Sequence, residues 1–168
     1  MIRAATLSDV DAIVALGRLM HAESPRFAPM PYDPERVRAT AEWVIGEGLV
    51  VVAEQVSAPL GLTRDGDPMP LRADVVGMAA ASPCYRFFNT DAYAADLVVY
   101  VHPDHRRGRL AAGLIKALEA AVLAKIGPCE MVLGATTGVE TEAVTRLYGR
   151  LGYRVIGVVT AKDLQAEA

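Results

Sequence analysis

The sequence predicts an α/β domain of the α+β kind, built on a mixed β-sheet with helices on both of its faces. Three observations lead there. Strand, helix and strand patterns alternate in the C-terminal half, which implies right-handed crossovers. Strand patterns follow one another directly in the middle of the chain, which implies an antiparallel meander. One run, residues 95–101, is apolar almost throughout and needs cover on both sides. With 168 residues the chain has the length of a single domain, residues 1–168, with a proper core.

Residues 1–5 read as a short first strand. Thr6 is placed to cap a helix with Asp9 in its first turn. Val10, Ile13, Val14, Gly17 and Met20 recur at helical spacing, carrying that helix to about His21. Residues 23–32 hold Pro25, Pro29 and Pro31 and form a loop. Asp33 then caps a second helix with Pro34 at its first position. Val37, Ala41, Val44 and Ile45 line that helix, and Gly46 and Gly48 end it. A β-rich run follows at 49–54. Residues 55–73, with Pro59, Gly61, Asp65-Gly66, Pro68 and Pro70, read as a long connection between neighbouring strands. The next strand spans 74–81. Residues 82–93 read as a loop rich in aromatics (Tyr85, Phe87, Phe88, Tyr93), and the central strand covers 95–101. Leu110, Leu114, Leu118, Ala121 and Val122 mark one face of a third helix, which ends near Gly127-Pro128. A strand over 130–134 comes next. Thr137-Gly138-Val139-Glu140 fits a capping box. Val144, Leu147, Tyr148 and Leu151 face inward on a fourth helix stopped by Gly152, and 153–164 read as a final β region.

Composition excludes several functions. A 52% hydrophobic content argues for a folded core and against disorder. No apolar run approaches the roughly 20 residues of a membrane helix, and the N-terminus has no signal-peptide shape. Cys84 and Cys129 are too few for a disulfide framework and lack metal-ligand spacing, so buried free thiols, no metal and a cytoplasmic location are expected. A net charge of −3 argues against nucleic acid as a partner. Against that background Arg106, Arg107 and Arg109 form a local basic cluster.

That cluster lies between the central strand and the third helix, around Gly108. The first turn of a helix has N–H groups without internal partners, and the dipole adds roughly half a positive charge there. A glycine lets an anion approach the backbone closely, and arginines grip phosphate oxygens in pairs. Spacing alone leaves two readings open: a pyrophosphate site, or a solvated basic turn at the head of a core helix.

Wider context favours the first. Residues 101–115 (Val-His-Pro-Asp-His-Arg-Arg-Gly-Arg-Leu-Ala-Ala-Gly-Leu-Ile) resemble the acetyl-CoA-binding motif of the GNAT superfamily of N-acetyltransferases. In that motif an Arg or Gln is followed by two variable residues, Gly, one variable residue, and Gly or Ala. Arg106 and Ala111 match its two ends, whereas Arg109 stands at the usual glycine and Gly108 comes one place earlier. Residues 2–9 resemble the family's first strand and helix start. Leu147-Tyr148-Gly149-Arg150-Leu151-Gly152-Tyr153 resembles its C-terminal signature. The resemblance implies a mixed, partly splayed sheet and acetyl transfer from acetyl-CoA, as co-substrate, to a primary amine of a small molecule or peptide, by direct attack in a ternary complex.

The resemblance also implies roles. Tyr148 aligns with the tyrosine used as general acid towards the CoA sulfur; packing on the core face of its helix is the alternative. Asp96 stands where many members carry an acid that works as base through water, with Glu54, His105, Tyr93 and Glu140 as weaker options. Val99, Tyr100 and Val101 correspond to the strand that pairs with the pantetheine chain and offers an N–H to the oxyanion. Such a donor exists in a buried strand only where pairing is broken. Arg106, Arg107, Gly108, Arg109, Leu110, Ala111 and Ala112 correspond to the phosphate loop, and Thr141 to a cofactor-bonding asparagine. Acceptor specificity falls to residues 21–32 and 82–93, whose aromatics suit an amine with an apolar part. A homodimer is implied. An acyl-CoA-binding sensor or interaction module without catalysis is the alternative function.

Overall fold

The structure, a computed structural model, describes residues 1–57, 72–106 and 108–162. Five strands form one sheet in the order β1 (Ile2–Ala4), β2 (Val50–Ser57), β3 (Arg72–Tyr85), β4 (Ala92–Val101) and β5 (Met131–Val132). The first four run antiparallel to their neighbours; β5 runs parallel to β4. Four α-helices complete the chain: α1 (Val10–Glu23), α2 (Pro34–Gly46), α3 (Leu110–Ile126) and α4 (Thr141–Arg150). The mixed sheet thus follows the predicted plan, with a meander in the middle and a strand–helix–strand crossover through α3.

Alternation along the strands divides the core into two layers. Val50, Val52, Met78 and Ala80 pack with Ile13, Leu16, Ala41 and Val44 of α1 and α2. Val51, Ala53, Ala79 and Ala81 pack on the opposite face with Leu114, Leu118 and Val122 of α3. Helices therefore cover both faces. The edge strand β1 is held by Arg3, whose guanidinium grips both Asp9 oxygens at 2.7 and 2.8 Å and reaches Glu54 through Nε at 2.8 Å. The Arg3 guanidinium holds the Asp9 carboxyl down at about 2. Asp33 caps α2 as expected, accepting from the Arg36 N–H at 3.0 Å.

Three expectations are corrected. The loop assigned to 82–93 is mostly strand: Ser82 to Tyr85 pair with Ala95 to Ala92, so the connection shrinks to 86–91 and the two strands form a long hairpin. Tyr85, Phe87 and Phe88 project from its tip into solvent. The Thr137 capping box does not form. The Thr137 carbonyl accepts from the buried Ser24 hydroxyl at 2.6 Å, its own hydroxyl accepts from the Val139 N–H, and α4 starts later, behind Glu140 in a left-handed conformation (φ 44°). The expected final β region carries no strand over 153–162, and Val155, Ile156, Val158 and Val159 are exposed. β-rich composition makes a strand only where an edge is available to pair with it. Most of the connection expected at 55–73, and residues 163–164, lie outside the described residues.

Candidate active site

The site begins at an irregularity in β4. Ala80 pairs with Val98 but the next residue, Ala81, pairs with Asp96, so Leu97 is an extra residue in β4. A bulge of this kind reverses which side each following residue faces. Before it, the Ala94 N–H points to β5 and donates to the Glu130 carbonyl at 2.9 Å; after it, the His102 N–H points the other way, to the Val76 carbonyl of β3 at 2.8 Å. Alternation then turns the N–H groups of Val99 and Val101 towards the β5 side. There β5 no longer accompanies β4: pairing is confined to Ala94 with Met131 and Ala95 with Val132. The two strands splay, and the second half of β4 presents main-chain groups to the opening.

A cleft of about 270 Å³ occupies this opening. It brings together Val99, Tyr100, Val101, Arg106, Gly108, Ala111, Ala112 and Tyr148, all of them candidate site residues from the sequence. Gly108 has φ +150° and open space where a Cβ would stand, so the chain before α3 offers bare backbone. The first α-helical bond near this end runs from the Gly113 N–H to the Arg109 carbonyl at 2.9 Å, which leaves the preceding N–H groups for a ligand. Arg109 is exposed ahead of the helix, Leu110 opens it and packs towards the core, and Thr141 is exposed at the start of α4; none of the three lines the cleft. Arg107 lies outside the described residues. The Arg106 side chain turns inward: Nε donates to the Val101 carbonyl at 2.9 Å, the guanidinium pairs with Glu23, and it lies 5.3 Å from the centre of the Tyr100 ring. It braces the open edge of β4.

Asp96 and Tyr148, 52 residues apart, meet at one residue, Gly134. Asp96 accepts from the Gly134 N–H at 2.9 Å, and the Tyr148 hydroxyl makes a long contact, 3.4 Å, to the Gly134 carbonyl. Burial raises the Asp96 carboxyl above its ordinary range. Burial first, and the nearby Asp96 charge second, push the Tyr148 phenol up to about 12. Tyr148 is therefore a neutral donor at neutral pH, and Asp96 is a carboxylate with increased basicity.

The sequence profile of the Acetyltransferase (GNAT) family matches residues 18–153. This chain belongs to the GNAT acetyltransferase family. Membership makes it an acetyl-CoA-dependent N-acetyltransferase. Solved structures agree on the fold. AAC(6')-Iy in complex with a bisubstrate analogue, CoA-S-monomethyl-acetylneamine, is similar with TM-score 0.67 at 15% identity, over 99% of this chain and 98% of the other. A ribosomal-protein-alanine N-acetyltransferase from Brucella melitensis biovar Abortus 2308 is similar with TM-score 0.60 at 19% identity, over 98% and 99%. An aminoglycoside acetyltransferase, HMB0005, from an uncultured soil metagenomic sample gives TM-score 0.62 at 18% identity, over 99% and 98%. Among curated proteins no sequence matches significantly.

This GNAT chain has a second cavity, of about 390 Å³, on the α1–α2 face of the sheet. Phe27 and Tyr32 line it, as the sequence reading expected of residues 21–32; Tyr85, Phe87, Phe88 and Tyr93 do not. Met20 borders both this cavity and the cleft, so the two spaces adjoin. Neither Met20 as a wall nor the pairing of Glu23 with Arg106 is visible in the sequence. An acid at the end of an amphipathic helix carries no local mark of a site, and its partner Arg106 is 83 residues away.

Proposed function

We propose that the protein transfers the acetyl group of acetyl-CoA to a primary amine by direct attack in a ternary complex. The splay of β4 from β5 behind the Leu97 bulge carries this reading, because it leaves strand N–H groups unpaired in a buried setting. Acetyl-CoA supplies an activated thioester. Val99, Tyr100 and Val101 offer main-chain groups for the pantetheine chain, and an N–H of Val99 or Val101 faces the thioester oxygen as negative charge builds there. The N–H groups around Gly108 to Ala112 receive the diphosphate, with Arg107 and Arg109 supplying positive charge and Arg106, paired with Glu23, bracing β4 beside it.

Proton traffic falls to the Gly134 pair. An alkyl ammonium has a pKa near 10.4 and must lose a proton to become nucleophilic. Asp96, acting through water, accepts it. Tyr148 donates a hydrogen bond to the sulfur as the C–S bond breaks. A phenol at about 12 is a weaker acid than a thiol near 8.5, so Tyr148 keeps its proton and stabilises the departing thiolate by that hydrogen bond, while the proton shed by the nitrogen as the amide forms leaves to solvent, from which the thiolate is protonated. The raised Asp96 carboxyl shifts the acid limb of the rate profile towards neutral pH, and activity falls as pH drops through it. A cytoplasmic homodimer completes the reading. It is supported by the free thiols Cys84 and Cys129 and by the exposed apolar residues 155–159.

Thiol release from acetyl-CoA over an amine panel tests the proposal. Tyr148→Phe is expected to lose roughly 10²–10⁴-fold in kcat while acetyl-CoA affinity stays within about twofold. Asp96→Asn is expected to abolish the acid limb. Tight acetyl-CoA binding by the wild type without turnover on any amine would replace the enzyme with a binding module.

A further inference from the structure

The cavity beneath α1 and α2 has walls of carbon. Most of the polar groups around it are engaged within the chain, and the exposed Arg36 adds one positive charge to its lining, which disfavours cations. The Tyr32 hydroxyl donates to the Val14 carbonyl at 2.7 Å, and the Thr40 hydroxyl donates to the Arg36 carbonyl at 2.9 Å. The His21 ring Nε2 lies 2.9 Å from the Met30 carbonyl, and Asp33 is occupied as the cap of α2. Ile13, Met20, Phe27, Val44, Met78 and Leu97 face the space instead. Its volume of about 390 Å³ falls within the range of small-molecule sites.

Where this cavity meets the cleft, beside Met20, the chemistry changes. Tyr100 lines the cleft, is 5% exposed, and packs its ring with the α1–α2 layer. Among the described residues its hydroxyl is the buried side-chain polar atom without a partner. A group left so is less favourable than one that is paired. The charged side chains that line the cleft are two carboxylates, Glu23 and Glu140, and two guanidinium groups, Arg106 and Arg150, with Glu23 and Arg106 bound to each other. They cancel, so the junction has a polar contact for one nitrogen and no excess negative charge for several.

Resting on the acetyl-transfer reading above, we infer that the acceptor is a primary amine carried on a compact apolar body. The body fills the α1–α2 cavity, and the nitrogen meets the Tyr100 hydroxyl at the junction, facing the bulge of β4. Polycationic acceptors fit neither the carbon walls nor the cancelled charge.

The test measures binding and turnover separately. 2-Phenylethylamine and hexylamine are titrated calorimetrically into the full chain saturated with CoA, beside spermidine, kanamycin and an alanine-terminated peptide; thiol release is then followed with acetyl-CoA. The apolar amines are expected to bind and to be acetylated in preference to the others. Tyr100→Phe, which keeps the ring and removes the hydroxyl, is expected to weaken them about tenfold. Thr40→Trp, which fills the cavity, is expected to abolish their binding with acetyl-CoA affinity retained. Leu97→Trp, at a half-exposed position on the same wall, replaces it if that variant fails to fold. Binding of the apolar amines without thiol release upholds this inference and defeats the transfer reading. Turnover confined to spermidine, kanamycin or the peptide does the reverse. Absence of apolar-amine binding at millimolar concentration, or binding indifferent to both kinds of variant, overturns the inference.

Discussion

The two halves of β4 differ in what flanks them. Residues 92–96 have β3 on one side and, at Ala94 and Ala95, β5 on the other. Residues 98–101 have β3 alone, and their second edge opens on the cleft. One extra residue, Leu97, separates a segment flanked by two strands from one flanked by β3 alone. The contrast extends outward. The N-terminal side is closed by the Arg3–Asp9–Glu54 network and two apolar layers, whereas the side carrying α4 contains a left-handed Glu140 and an exposed tail.

Breaking the closed side should show as lost stability. Leu118 is fully buried against the sheet, and Leu118→Ala is expected to cost about 3 kcal/mol in urea unfolding through transfer and cavity terms. A loss under 1 kcal/mol would mean that this layer is loosely packed. Asp9→Asn is expected to cost about 2 kcal/mol at neutral pH, because the folded carboxyl sits at about 2 against an ordinary 3.8. The sign follows from that depression. The contribution is complete above the unfolded value and is lost as pH falls through 3.8 towards 2, so the variant should have a flatter acid limb than the wild type.

On the open side the smallest effect should have the opposite sign. Glu140 holds φ 44° without being glycine, and non-glycine residues there store about 1 kcal/mol. Glu140→Gly is therefore expected to raise the melting temperature slightly. A fall would show that the Glu140 side chain contributes more than its backbone conformation costs.

Much of this contrast was legible in the sequence, for identifiable reasons. The central strand, the basic turn with Gly108, and α3 announce themselves through unbroken apolarity, a punctuating glycine and a clean helical stripe. Asp33-Pro34 marked the start of α2 to the residue. What stayed hidden depends on distant partners. Nothing within residues 95–101 marks Leu97 as the extra one, since the bulge is defined only by register against Ala80 and Ala81. Thr137 has the residue pattern of a cap, yet Ser24, 113 positions away, takes its carbonyl. Residues 82–85 look like loop because Pro83 and the aromatics mask their pairing with β4. The Tyr148–Gly134–Asp96 meeting and the Tyr100–Arg106–Glu23 cluster likewise join segments that only the tertiary fold brings together.

Met20 gives the molecule a shared partition. A thioether on an unbranched stem swings among rotamers at little cost, so a bulkier guest in one compartment displaces it into the other. With the acyl group in the cleft and the acceptor in the cavity, as proposed, donor length and acceptor girth would be fixed jointly, and a longer acyl chain would narrow the choice of nitrogen it can reach.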